Sequence, residues 1–207
     1  MRERECSVAA NWTWISISIV VFVGLMLAVL YLPEIREFDI KILHDIRAFL
    51  APYPSYIPLF IADFGIADNF IWPQITVCAV LISNCRYIKA FLLVFFTQAT
   101  IAISFAIKDF VCRPRPEGAN HIGYSFPSLH SSEAMCLYGI VVYLIMHYVR
   151  NTFWRYFLTV FFSLYILLVA TSRLWKGVHF LTDVTAGLFL GLIFVNLFII
   201  LCKKLHY

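Results

Sequence analysis

Charged side chains are scarce in this sequence. Of its 207 residues, 14% are Asp, Glu, Lys or Arg, whereas 62% are hydrophobic. A soluble domain usually carries about 25% charged residues, so this chain has too few charges to build a polar shell. We therefore expect lipid to be the solvent for most of the chain.

Blocks of like charge are absent as well, and the formal net charge is only +4. A nucleic-acid-binding protein would show a basic patch or stripe, so the composition excludes that class. The six cysteines form no CxxC pair and no zinc-ligand spacing, which argues against a disulfide framework. No internal repeat occurs, and the length favours a single domain over residues 1–207.

Long apolar runs are what the sequence does contain. A helix needs about 20 mainly apolar residues to cross a bilayer. The predicted fold class is therefore all-α, an integral membrane bundle of six transmembrane helices. The predicted spans are residues 14–32, 70–83, 88–107, 132–148, 153–171 and 179–202, with an earlier start near residue 57 as the alternative for the short second span.

An amphipathic segment follows the first span. Apolar residues recur there at helical spacing, with charges between them; they are Ile35, Phe38, Ile42, Ile46 and Phe49. This pattern predicts an interfacial helix between spans one and two, lying on the membrane surface. The prolines predicted to break it up are Pro52, Pro54 and Pro58.

Six spans place both termini on one side of the membrane. Lys and Arg divide equally between the two sides if every one is counted. If the cations of the polar segments 108–131 and 172–178 are set aside as functional, the excess falls on the side of the termini. The positive-inside rule then places the termini in the cytoplasm.

Two polar segments, after the third and fifth spans, lie on the same face of the membrane. Cations and imidazoles at membrane depth are costly and usually mark a site. The candidate residues are Lys108, Arg113, Arg115, His130, Arg173, Lys176, His179 and Asp183.

These residue types suit phosphoryl transfer. Cations hold the oxygens of a phosphoryl group and stabilise developing charge. One neutral imidazole can attack phosphorus, and a second can protonate the leaving oxygen. A carboxylate can hold the attacking imidazole in the right tautomer. His179 and Asp183 are four residues apart, so we expect both on one helix face, joined by a hydrogen bond.

Three motifs carry a family resemblance. KDFVCRPRP at 108–116 fits K-x6-RP, PSLH at 127–130 fits PSGH with Leu129 in place of Gly, and SRLWKGVHFLTD at 172–183 fits SR-x5-H-x3-D. Three motifs in this order and spacing are a specific signal. The chain resembles the type 2 phosphatidic acid phosphatases (the PAP2 family), which share their site with vanadium haloperoxidases.

The resemblance implies a role for each matching residue. His179 would be the nucleophile that forms a phosphohistidine, Asp183 would orient it, and His130 would be general acid and then general base. No metal or other cofactor is implied. The implied phosphate-binding residues are Lys108, Arg115, Ser128, Leu129 (through its backbone N–H) and Arg173.

Leu129, Arg113 and Lys176 are three positions at which this sequence differs from the motif or adds a charge to it. Leu129 would be strained if that position required positive φ, and its bulk could narrow the range of substrates. Arg113 and Lys176 lie near the site but are not among the residues that the motifs specify. For these two cations we favour contact with solvent or lipid head groups, and their extra charge could favour a diphosphate.

The resemblance implies a membrane lipid phosphatase of the bacterial inner membrane, with its active site on the periplasmic or extracellular side. Family substrates include polyprenyl diphosphate, phosphatidylglycerophosphate, phosphatidate and lipid A. The expected partners are a phosphorylated lipid and the bilayer, with no nucleic acid and no protein partner. Two alternatives stay open: a lipid phosphotransferase using the same phosphohistidine, and a non-catalytic lipid-binding protein or transporter.

Overall fold

The structure, a computed structural model, describes residues 2–50, 52, 67–119 and 122–205. Pro54, Pro58 and the alternative start of span two near residue 57 lie outside these residues. The described part is all-α and contains no strand. Its helices, numbered along the chain, are α1 Arg2–Tyr31, α2 Pro33–Leu50, α3 Ala67–Ser83, α4 Tyr87–Val111, α5 Leu129–Tyr148, α6 Thr152–Trp175 and α7 Leu181–Lys204.

Five of these helices are long and apolar enough to cross a membrane. α3 carries only the shorter apolar stretch Phe70–Ser83. α6 shows why lipid is the expected solvent, because Phe153, Val160 and Leu164 all point away from the protein. The five stretches are Val8–Tyr31, Tyr87–Val111, Leu129–Tyr148, Thr152–Trp175 and Leu181–Lys204.

α5 lies at the centre of the bundle. It packs against α4, α6 and α7, while α1 packs on the other side of α7 and α3 packs on α4. Its inward residues Ala134, Cys136 and Ile140 are completely buried. The main apolar core therefore surrounds α5 and continues along α7 to Phe198.

Two glycines bring α5 and α7 into close contact. A Cβ at Gly187 would lie 2.5 Å from the backbone O of Ser128, and a Cβ at Gly191 would lie 2.5 Å from the backbone O of Ser132. Small residues four apart are a common device for close packing of membrane helices. The contact lets the Ser128 N–H donate to the backbone O of Asp183 at 2.9 Å. It thus joins two of the three motifs.

The helix ends differ from those predicted. α4 and α6 run further than expected, so Lys108 and Arg173 lie in last helical turns, and α5 begins early enough to include His130. His179 precedes α7 instead of lying within it. The predicted ends of α4, α5 and α6 were too short because hydropathy assigns polar residues at a helix end to the adjoining loop.

A helix, α2, is present where the amphipathic segment was predicted. Phe38 and Phe49 are exposed, whereas Asp39 and Leu43 are buried. Ile46 packs against the small cluster between α6 and α7. α2 therefore packs against α6 and α7, and its Asp39 carboxylate contacts Thr182 at the start of α7.

Candidate active site

A cavity of about 330 Å³ lies at the end of the bundle where α4 and α6 finish and α5 begins. Six of the eight residues to which the family resemblance assigns a role line it, although they come from three separate motifs. These six are Lys108, Arg115, Leu129, His130, Arg173 and His179.

Lys108 fixes the loop between α4 and α5. Its Nζ donates to the backbone O of Tyr124 at 2.8 Å and of Ser125 at 3.2 Å. Ser125 N–H in turn donates to the backbone O of Arg113 at 2.9 Å. The loop is folded back on itself, and the Lys108 ammonium is held at the cavity wall.

Arg115 connects this loop to the one that carries His179. Its Nε donates to the backbone O of Gly123 at 3.0 Å, and its Nη1 donates to the backbone O of Val178 at 3.0 Å. Nη1 also lies 3.3 Å from Nε2 of His179. Burial lowers the pKa of Arg115, but an arginine remains protonated in proteins. The site thus keeps this cation beside the imidazole.

His179 is buried, with its two ring nitrogens in different surroundings. Nε2 faces Arg115, whereas Nδ1 lies 3.6 Å from Oδ2 of Asp183. Burial lowers the pKa of His179 to about 4 against the opposing effect of Asp183, so the ring is neutral at pH 7. The nearby carboxylate favours the proton on Nδ1, which leaves the lone pair on Nε2.

The predicted hydrogen bond between His179 and Asp183 is not formed. The pair is brought together as expected, but 3.6 Å exceeds hydrogen-bonding distance. The Asp183 carboxylate instead accepts from the N–H of Phe180 at 2.9 Å and from Arg113 at 2.6 Å. It is completely buried and lies behind His179 rather than at the cavity wall.

Arg113 corrects a prediction. We favoured solvent or head groups as its surroundings, yet its side chain is only 8% exposed and lies between the carboxylates of Asp39 and Asp183. The contact between Arg113 and Asp39 could not be predicted from the sequence pattern, because the two residues are 74 positions apart along the chain. Lys176 is half-buried at the C-terminal end of α6 and does not line the cavity.

Ser128 and Leu129 occupy different positions in the site. Ser128 is completely buried, and its Oγ accepts from Oγ of Ser131 at 2.9 Å, so its side chain supports the cavity from behind. Leu129 lines the cavity as the first residue of α5. Its helical conformation removes the strain considered above, because among described non-glycine residues only Cys85 and Cys112 have positive φ.

The start of α5 supplies a further anion-binding feature. The first N–H groups of a helix have no acceptor within the helix and favour a negative charge. Leu129 and His130 both line the cavity from this first turn. Backbone donors, three cationic side chains and a neutral imidazole thus converge on one space, an arrangement suited to a phosphoryl group.

Comparison with models of protein families shows to which family this chain belongs. Residues 89–207 match the family model of the PAP2 superfamily. The chain belongs to the PAP2 superfamily. The match runs from within α4 to the end of the chain and includes all six predicted residues at the cavity wall. α1, α2 and α3 lie outside it.

Curated PAP2 relatives are similar over most of this chain. Phosphatidylglycerophosphatase B of Bacillus subtilis (strain 168) is 27% identical over 186 residues, covering 86% of this chain and 89% of its own length. A dihydrosphingosine 1-phosphate phosphatase of Schizosaccharomyces pombe is 27% identical, and lipid phosphate phosphatase delta of Arabidopsis thaliana is 26% identical. Those two alignments include 78% and 97% of this chain, respectively, but only 41% and 54% of the length of the two relatives.

A solved structure shares the fold. The crystal structure of a transmembrane PAP2 type phosphatidylglycerolphosphate phosphatase from Bacillus subtilis superposes with a TM-score of 0.82 at 23% identity. The superposition includes 92% of this chain and 96% of the Bacillus subtilis chain. Together with the five apolar helices, this neighbour supports an integral membrane protein with the PAP2 fold.

Proposed function

We propose that this protein is a membrane lipid phosphatase that hydrolyses a phosphomonoester or diphosphate through a phosphohistidine on His179. The observation that carries the proposal is a neutral imidazole beside a cavity lined by Lys108, Arg115 and Arg173. PAP2 relatives named as lipid phosphatases support the same reaction class.

The first step is transfer of the phosphoryl group to His179. The Nε2 lone pair attacks phosphorus, an N–P bond forms, and the bond from phosphorus to the lipid oxygen breaks. His130 donates a proton to that oxygen, so the lipid leaves as a neutral alcohol, or as a lipid phosphate if the substrate is a diphosphate. Asp183 stabilises the positive charge that the imidazole ring gains.

The second step is hydrolysis of the phosphohistidine. His130, now neutral, accepts a proton from water as the resulting hydroxide attacks phosphorus. The N–P bond breaks, its electron pair returns to Nε2, and inorganic phosphate is released. Lys108, Arg115, Arg173 and the first N–H groups of α5 hold the phosphoryl oxygens throughout both steps.

Metal independence is part of this proposal. The charge that Mg²⁺ supplies in many phosphoryl-transfer enzymes would here come from the three cations at the cavity. The donors are the ammonium of Lys108 and the guanidinium groups of Arg115 and Arg173, of which the last is almost completely buried. Leu129 at the cavity wall would limit the space beside the phosphate.

For the membrane arrangement we propose six spans, with α3 as the second and α2 at the interface. α3 has 17 residues, about 25 Å at 1.5 Å per residue, and it packs on α4. We further propose cytoplasmic termini in a bacterial inner membrane. The cavity would then open on the periplasmic or extracellular side, where a lipid head group can reach it from the leaflet.

Phosphate release from defined lipids tests the function. The detergent-purified protein would be given polyprenyl diphosphate, phosphatidylglycerophosphate, phosphatidate and lipid A, each with EDTA present. We expect inorganic phosphate from at least one lipid, with a rate unchanged by EDTA. Loss of activity with EDTA would contradict the metal-free mechanism. A second phosphorylated lipid in place of phosphate would indicate a phosphotransferase, and no reaction would favour a binding protein.

The low pKa of His179 predicts how the activity depends on pH. Because His179 reacts only when neutral, the acid limb of kcat/KM that it governs should lie near pH 4 and not near the ordinary 6.5. Activity should therefore persist as the pH falls through 6 and be lost near 4. Steady-state kinetics on the best lipid from about pH 3 to about pH 9 would measure this. An acid limb of kcat/KM at about pH 6.5 would contradict the burial of His179.

A further inference from the structure

We infer that Asp39 and Arg113 form a positioning pair for the reaction: Asp39 holds Arg113, and Arg113 holds the Asp183 carboxylate in place behind His179. This inference rests on the proposed function and adds two residues to its machinery. Neither residue is one that the three motifs specify, since Arg113 occupies a variable position of the first motif. Asp39 lies outside residues 89–207, the part of the chain that matches the PAP2 family model.

The contacts form a continuous chain of charges. Nη2 of Arg113 lies 2.7 Å from Oδ2 of Asp39, and its Nη1 lies 2.6 Å from Oδ1 of Asp183. Both carboxylates are completely buried. Charge-assisted hydrogen bonds of this length are strong and directional. They leave Oδ2 of Asp183 as the atom that faces Nδ1 of His179.

Thr182 ties the same pair to the backbone of α7. Its Oγ1 accepts from Nη1 of Arg113 at 2.7 Å and donates to Oδ2 of Asp39. Its N–H donates to Oδ1 of Asp39 at 3.2 Å. The Arg113 guanidinium also lies over the ring of Phe180, 4.4 Å from its centre. Asp39 of α2 thus holds Thr182, and Arg113 contacts Phe180.

The charge balance explains why the pair should affect chemistry. One guanidinium between two carboxylates leaves a net charge of about −1 behind His179. The imidazole ring becomes positive when Nε2 bonds to phosphorus, so this negative charge stabilises the intermediate. Without the charge of Asp39, Arg113 would neutralise Asp183 and the stabilisation would weaken. Asp39 does not line the cavity, so phosphate binding should change little.

Asp39→Asn tests the inference, because it keeps the shape of the side chain and removes its charge. We expect kcat to fall about tenfold to a hundredfold, with little change in KM. The matched control is Asp45→Asn, which removes the same charge from the exposed side of α2 and should leave both constants unchanged. Monodisperse elution and thermal unfolding in detergent would confirm that both variants fold.

A double variant separates positioning from general destabilisation. If Asp39 acts through Asp183, adding Asp39→Asn to Asp183→Asn should cause no further loss of kcat. An equal loss in both backgrounds, or a raised KM with unchanged kcat, would overturn the inference. If Asp39→Asn does not fold, Arg113→Lys serves instead. Lysine cannot bridge two carboxylates as a planar guanidinium does, so kcat should again fall and wild-type kcat would overturn the inference.

The outcomes also separate this inference from the proposed function. Wild-type protein that releases no phosphate from any lipid would overturn the function and, with it, this role. An active wild type whose kcat is matched by Asp39→Asn would overturn the positioning role alone.

Discussion

Replacing His179 by Asn is expected to abolish phosphate release, with kcat lowered by a factor on the order of 10⁴ or more. Asparagine has similar bulk and polarity but offers no nucleophilic nitrogen to phosphorus. Acid-quenched and neutral-quenched single turnovers of a ³²P-labelled lipid would follow the intermediate directly. Wild-type protein should carry acid-labile label, and the variant should carry none.

The matched control for this change is His147→Asn. His147 lies near the other end of α5, beside Tyr143, and does not line the cavity. Its replacement should leave kcat and the label unchanged. If His179→Asn still released phosphate at a rate near that of the wild type, His179 would not be the nucleophile. Label on His130 would exchange the roles of the two histidines.

Gly187→Ala is expected to be strongly destabilising although it adds a single methyl group. The new Cβ would lie 2.5 Å from the backbone O of Ser128, and a backbone atom in a helix contact cannot move aside alone. We expect a destabilisation of about 3 kcal/mol. Activity should fall too, because separating α5 from α7 breaks the hydrogen bond from Ser128 N–H to Asp183 O. Thermal unfolding in detergent and kcat would measure the two effects.

Gly24→Ala is the control for Gly187→Ala, since a Cβ at Gly24 would meet nothing within 4 Å. This variant should unfold at the wild-type temperature and keep wild-type kcat. A Gly187→Ala protein as stable and active as the Gly24→Ala protein would show that α5 and α7 are not in close contact. The connection between the second and third motifs would then need another explanation.

Much of the fold could be predicted from the sequence. Apolar runs of nearly membrane-spanning length indicated the helices because lipid requires an uninterrupted apolar surface. The periodic segment after the first run predicted α2. The all-α class and the family are both confirmed, and five of the predicted spans correspond to helices of sufficient length. The predicted second span stays a proposal, because the apolar stretch of α3 is shorter.

The burial of Asp39 and the surroundings of Arg113 could not be predicted. Hydrophobic periodicity assigns the charged residues of an amphipathic helix to its polar, solvated face, yet α2 buries Asp39, and Arg113 lies opposite it. That pairing depends on a contact between distant parts of the chain, which periodicity does not report. The same limit applies to Asp183, since its geometry is set by Arg113 and Phe180 as well as by His179.

Local chemistry and tertiary geometry thus determined different things about this protein. The sequence alone determined a helical membrane chain, because lipid selects apolar helices. It also predicted which residues perform phosphoryl transfer, because that chemistry suits cations and imidazoles and the three motifs place them in order. Only the tertiary structure decided that Lys108, Arg115, Arg173 and His179 share one cavity and that a carboxylate from α2 stands behind them. The physical reason is that buried charges require partners, and the chain folds to bring those partners together from distant positions.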